Sequence, residues 1–256
     1  GDSAFAYCSN LTQITIPSSV TSIGDDVFYN CSNLAQITIQ RNQEENIDFL
    51  ENTYLVFKSS KEGNYDTLLW TKRNINNLNI PSSIKFIKNQ AFSSCSNLKQ
   101  ITIPSSVISI GDSAFECCSN LTQITIPSSV TSIGDKSFYN CSNLTQITIP
   151  SSMISIGDSA FEYCSNLTQI TIPSSVISIG DSAFEYCSKL TQITIPSSVT
   201  SIGDKSFYNC SNLTQITIPS SVISIGNHAF PLNVRIIRVD EILMCLFLGN
   251  NIYTII

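Results

Sequence analysis

The chain has 256 residues, 42% of them hydrophobic and only 12% charged, about half the charged share of an ordinary globular domain. Thirteen basic and nineteen acidic residues leave a net charge of −6, which argues against the concentrated basic patch a nucleic-acid partner needs. The single histidine, His228, excludes a multi-histidine metal site and would have to serve any Ser-His-Asp or Cys-His centre. It stands in Asn227-His228-Ala229-Phe230, where sister segments carry Asp-Ser-Ala-Phe or Asp-Lys-Ser-Phe, and reads as an exposed substitution. No run approaches the ~18–20 apolar residues of a membrane-spanning helix. Residue 1 is Gly, so a piece of a longer protein is expected.

A repeat organises the chain. Prolines stand at 81, 104, 127, 150, 173, 196 and 219, every 23 residues, with Pro17 in the same series and Gln40 in the slot after it. Cysteines repeat likewise at 8 and 31, then at every unit from 95 to 210. In the unit from Cys118 to Asn140, residues 122–126 alternate and are β-branched, predicting a short strand with Ile124 and Ile126 inward. Pro127-Ser-Ser predicts a turn with proline at its first corner. Residues 130–133 form a second extended stretch, ended by Gly134-Asp135. Asp135 is expected to cap one helical or 3₁₀ turn that carries Phe138 inward. Each unit is one coil of a solenoid. A lone coil buries too little to offset the entropy of ordering it, so stability belongs to the stacked array.

Residues 1–230 are read as that solenoid. The first coil opens at Gly1-Asp2-Ser3-Ala4-Phe5, in mid-coil and without an evident cap. Further sequence before it, or end-to-end self-association through this uncapped N-terminal coil, is expected to cover the face. From Ile39 to Ile80 the chain runs 41 residues, one period and 18 more, so the solenoid is interrupted at 41–74. The interruption holds 11 of the 32 charged residues and the only tryptophan, Trp70. Residues 54–57 and 67–70 flank Gly63-Asn64, which predicts a β-hairpin, either docked on the solenoid or protruding as a recognition element. The repeat resumes at Ile75 and ends at Phe230. Residues 231–256 lose the period and are expected to form capping strands over the end of the core; a truncated membrane anchor is the alternative.

Ten cysteines raise the question of disulfides. Stacked neighbours at ~4.8 Å lie within the bridging range, but thiols pointing inward in parallel are expected to be reduced core packing. A linear column is no tetrahedral zinc site. Cys117, which replaces Tyr163 and Tyr186 of later coils, is expected to be less buried and open to intermolecular oxidation. Asn-Leu-Thr at Asn10, Asn120, Asn143, Asn166 and Asn212, and Asn-Cys-Ser at Asn30, Asn140 and Asn209, match the glycosylation pattern; the same triplets follow from the repeat alone.

The pattern Leu-x-x-Ile-x-Ile-Pro-x-x-Val-x-x-Ile-Gly-x-x-x-Phe-x-x-Cys resembles the BspA-like, Treponema-type leucine-rich repeat over roughly residues 1–40 and 75–230. The resemblance implies a right-handed, curved solenoid with a parallel sheet on the concave face. It also implies a cell-surface or secreted protein that binds extracellular matrix or a host cell-surface protein. It brings no catalytic residues, no cofactor and no metal.

Outward strand positions form one column of glutamines and one of threonines. The expected binding face is their central part: Gln123, Thr125, Gln146, Thr148, Gln169, Thr171, Gln192 and Thr194. A uniform, uncharged sheet suits avidity for a repetitive ligand; the same residues also simply solubilise a β surface. The opposite side varies between coils, Asp-Lys-Ser-Phe-Tyr-Asn alternating with Asp-Ser-Ala-Phe-Glu-Tyr. The favoured function is a non-enzymatic adhesion module using the Gln/Thr face. An intracellular protein-interaction scaffold is the alternative. Ice binding by the threonine array is disfavoured because each strand reads Gln-Ile-Thr and the expected curvature spoils a flat match.

Overall fold

The Ile-Thr-Ile alternation and the Pro-Ser-Ser turn generate a parallel-strand solenoid of about nine turns at 23-residue spacing. The computed structural model describes residues 1–20, 23–24, 26–40, 47–50, 54–57 and 66–239. Two ladders run along the stack. In the first, Gln-Ile-Thr segments, with Asn-Leu-Asn in one coil, pair parallel and in register, Gln13–Ile16 with Gln36–Ile39, Asn77–Asn79 with Gln100–Thr102, and Gln123–Thr125 with Gln146–Thr148. It is segmented, and further along it continues as single bridges such as Gln169 to Gln192. In the second, Ser-Ile pairs stack from Phe86–Ile87 to Ser109–Ile110 to Ser132–Ile133, and again from Ser155–Ile156 to Ser224–Ile225.

Between the ladders, Ile124, Ile126, Val130, Phe138, Cys141 and Leu144 are buried, as are their equivalents in neighbouring coils. The phenylalanines form a parallel stack from Phe92 to Phe230, with successive ring centroids 4.9 to 5.8 Å apart. The motif residues are explained by bonds to the adjacent coil. In Ser129, Ser152, Ser198 and Ser221 the second serine after proline donates to the preceding coil's valine carbonyl, Ser129 Oγ to Val107 O at 2.6 Å. Cysteines 31, 95, 118, 141, 164, 187 and 210 are buried and free. Each from Cys118 onward donates its S–H to the preceding coil's phenylalanine carbonyl, Cys141 Sγ to Phe115 O at 3.1 Å.

Three local expectations are corrected. There is no α- or 3₁₀-helix among the described residues. After Gly134 the chain instead makes successive turns with left-handed residues at Lys136 (φ 55°) and Asn140 (φ 55°), a pair repeated along the stack. Those turns direct the N–H groups of Lys136, Phe138 and Asn140 into the next coil, at Asp158, Ala160 and Glu162; a helix would have kept them within its own coil. Asp135 therefore caps its neighbour: its Oδ1 accepts the N–H of Asp158 at 2.9 Å. Close approach explains the adjoining glycine, since a Cβ on Gly157 would lie 2.6 Å from Asp135 Oδ1. Finally, the N–H of Val130 closes on the carbonyl of Pro127 at 3.0 Å, so proline precedes the turn's two corners, which are Ser128 and Ser129.

The interruption is resolved into two changes. Residues Thr67–Thr71 pair parallel with Phe86–Ile87 as the second strand of a coil whose first strand is Gln36–Ile39, so the extra chain enters between the two strands of that coil. The following turn is shorter: Asn77 comes nine positions after Leu68, whereas Gln100 comes thirteen after Ile87. Tyr54–Phe57 pairs antiparallel with Thr67–Thr71 and with Ile47–Leu50; the Gly63-Asn64 turn lies outside the described residues. Two apolar clusters result. Leu68 belongs to the larger, which runs on to Ala229, while Trp70 closes a smaller one with Ile16, Phe28, Cys31, Leu34 and Ile37. At the far end Arg235–Val239 pairs parallel with Gln215–Pro219; the rest of the expected cap lies outside the described residues. No helix among the described residues is long and apolar enough to cross a membrane.

Candidate functional site

All eight side chains expected to form the binding face, Gln123, Thr125, Gln146, Thr148, Gln169, Thr171, Gln192 and Thr194, are exposed on one side of the first ladder. The alternation that buries Ile124, Ile147, Ile170 and Ile193 turns them outward. The surface is not uniform along its length. A groove of about 450 Å³ lies over Gln100, Thr102, Gln123, Thr125, Gln146 and Thr148, with Pro127 at its border. Gln169, Thr171, Gln192 and Thr194 share the face but lie outside the groove. Gln100 and Thr102 belong to the same columns and extend it by one coil. Amides and hydroxyls offer donors and acceptors without titrating, so what this face presents is hydrogen-bonding capacity and shape rather than charge.

The turns present a different chemistry. Tyr139, Tyr163, Tyr186 and Tyr208 touch in succession and end on His228, with centroids 4.6 to 6.4 Å apart. Burial raises the carboxyl pKa of Glu162, opposed by Ser159 and reinforced by Glu185. Burial likewise raises that of Glu116, opposed by the hydroxyls of Ser113 and Tyr29. Tyr29 is pushed up to about 12, by burial first and then by the charge of Glu116. Cys117 is half-buried, with Asn140 Nδ2 at 3.7 Å from its sulfur, and burial raises its thiol pKa. The asparagines of the Asn-Leu-Thr triplets are drawn into a ladder of their own: Asn166 Nδ2 donates to Asn143 Oδ1 at 3.1 Å and to Ser142 O at 2.7 Å. Among the described residues, no three His, Cys, Asp or Glu side chains come together as a metal ion would require.

The BspA type leucine rich repeat region matches in six copies, over residues 1–54, 66–190 and 131–241. Among solved structures, a leucine-rich repeat protein from Eubacterium ventriosum is 32% identical, with a TM-score of 0.75, covering 86% of this chain and 58% of its own. One from Bacteroides ovatus is 30% identical, with a TM-score of 0.61, covering 92% of this chain and 54% of its own. The leucine-rich repeat protein of T. pallidum is 25% identical, with a TM-score of 0.63, covering 70% of this chain and 86% of its own. The chain thus spans little more than half the length of the first two. No curated protein matches it.

Proposed function

The chain belongs to the BspA type leucine-rich repeat family, and from that premise we propose that it is a non-enzymatic binding module of a cell-surface or secreted protein. Its ligand is an extracellular matrix or host cell-surface protein, held along the Gln/Thr face. The groove over Gln100 to Thr148 carries this reading: there the exposed columns form a concavity rather than a strip. Six side chains at coil spacing offer a repeated set of donors and acceptors, which favours a ligand with a repeated backbone or surface motif.

The experiment is solid-phase binding to matrix proteins and to host cells, with a variant carrying Gln123→Glu, Thr125→Lys, Gln146→Glu and Thr148→Lys. These positions are exposed, so the variant is expected to fold. Saturable binding by the parent and none by the variant supports the groove. Equal binding by both moves the site off the groove.

A further inference from the structure

The net charge of the chain is gathered on its turns. The five turns that open at Asp112, Asp135, Asp158, Asp181 and Asp204 hold eight of the nineteen carboxylates and two of the thirteen basic residues, Lys136 and Lys205. Their surplus of −6 equals that of the whole chain; elsewhere eleven acidic and eleven basic residues cancel. All five aspartates are exposed. The tyrosine row from Tyr139 to His228 runs along these same turns, with Glu162 acting on Tyr139 and Tyr163, and Glu185 on Tyr163. At the start of the row Glu116 is nine-tenths buried, and its Oε2 has no hydrogen-bond partner. Carboxylates and aromatic rings thus share one run of turns, with Tyr163 and Tyr186 stacked on each other and Tyr139 and Tyr208 meeting them edge-on.

We propose that this run of turns docks an extended, arginine-rich segment of a partner polypeptide. Charge supplies attraction and orientation over a strip several coils long. The rings then select guanidinium over ammonium, because a planar and weakly hydrated cation stacks on an aromatic face. This docking is independent of the Gln/Thr groove, so either surface can fail its test without the other.

The repeat itself supplies variants that keep the fold. Asn89 Oδ1 accepts the N–H of Asp112 at 2.9 Å, as Asp112 Oδ1 accepts that of Asp135 at 3.0 Å. Asp135→Asn, Asp158→Asn, Asp181→Asn and Asp204→Asn together therefore remove four charges and retain the backbone bonds. Tyr163 (φ 59°) and Tyr186 (φ 60°) occupy the left-handed slot that Asn140 and Asn209 fill elsewhere, so Tyr163→Asn with Tyr186→Asn removes two rings at no backbone cost.

Fluorescence anisotropy of labelled octa-arginine and octa-lysine peptides, with folding checked by circular dichroism, reads the outcome. The parent is expected to prefer octa-arginine, with affinity falling as salt rises. The aspartate variant is expected to lose about tenfold or more for both peptides. The tyrosine variant is expected to lose the arginine preference, by roughly threefold per ring. Unchanged binding by the aspartate variant would overturn the proposal. So would equal affinity of the parent for the two peptides, or displacement of peptide by calcium but not by sodium at matched ionic strength, which would reassign the turns to a divalent cation.

Discussion

Arg73 Nη1 donates to the backbone carbonyl of Ala91 at 3.1 Å. In each following coil the equivalent carbonyl accepts the N–H of the preceding coil's phenylalanine, as Ala114 O does from Phe92 at 2.8 Å. Counting five residues on from the paired Leu68 and Ile87, Arg73 stands opposite Phe92. Its guanidinium therefore replaces a missing backbone layer. It also reaches Gln90 O at 3.4 Å and Cys95 Sγ at 3.7 Å, and lies 5.3 Å from the centroid of Trp70. A shortened turn would otherwise leave buried carbonyls without donors.

Replacing Arg73 by Ala should destabilise the junction by about 2–4 kcal/mol, the cost of buried carbonyls left unsatisfied together with a lost ring contact. Trp70, the only tryptophan, sits in the smaller cluster, so its fluorescence reports that cluster. In urea titrations the fluorescence midpoint of the variant should fall well below the midpoint seen by circular dichroism. Coincident midpoints, both unchanged, would show that the guanidinium is dispensable.

Stability should decline steeply in alkali. Burial raises the thiol pKa of Cys95, Cys118, Cys141, Cys164, Cys187 and Cys210, the last to about 12. A folded pKa above the unfolded one keeps its full contribution below the unfolded value, near 8.5 for a thiol, and loses it as pH rises toward the folded value. Each thiol can then cost up to about 1.4 kcal/mol per pH unit in that window. Urea midpoints between pH 8 and pH 11 should fall accordingly, and Cys118→Ala with Cys141→Ala and Cys164→Ala should flatten the slope by about half. An unchanged slope would mean that groups other than the column release the protons.

The aspartate ladder separates charge from hydrogen bonding. Asp158 Oδ1 accepts the N–H of Asp181 at 2.8 Å. Asp158→Ala should cost roughly 0.5–1.5 kcal/mol, whereas Asp158→Asn should be close to neutral, since Asn89 already performs that role. Thermal unfolding of the two variants distinguishes a cap from a merely solvating carboxylate, for which both would be equal.

Lys136 holds φ 55°, a conformation that costs an ordinary side chain about 1 kcal/mol or more and glycine little. Lys136→Gly should therefore raise the melting temperature despite the added freedom of its unfolded chain, and Lys136→Asn should raise it less. A lower melting temperature for both would show that the lysine stem contributes packing that outweighs the backbone strain.

The composition and period of the chain were sufficient for the solenoid, the inward isoleucines, the buried thiols and the outward Gln and Thr columns, because each depends on alternation or spacing within one 23-residue unit. The partners of the motif residues were not legible there. Asp135, Ser129 and Cys141 make bonds to residues 22 to 26 positions away, and a lone unit offers nearer partners that look equally suitable. Within its own unit Asp135 accordingly reads as a helical cap. The left-handed pair at Lys136 and Asn140 was hidden for the same reason: only a neighbouring coil, accepting the N–H groups of Lys136, Phe138 and Asn140, makes that backbone preferable to a helix. The interruption shows the same division. Its length and charge stand out in the sequence, but an insertion between two strands and a shortened turn give one combined length, and only strand register separates them. Arg73 reads as one more surface charge until the stack brings it against Ala91, where the loss of a backbone layer turns a guanidinium into a structural donor.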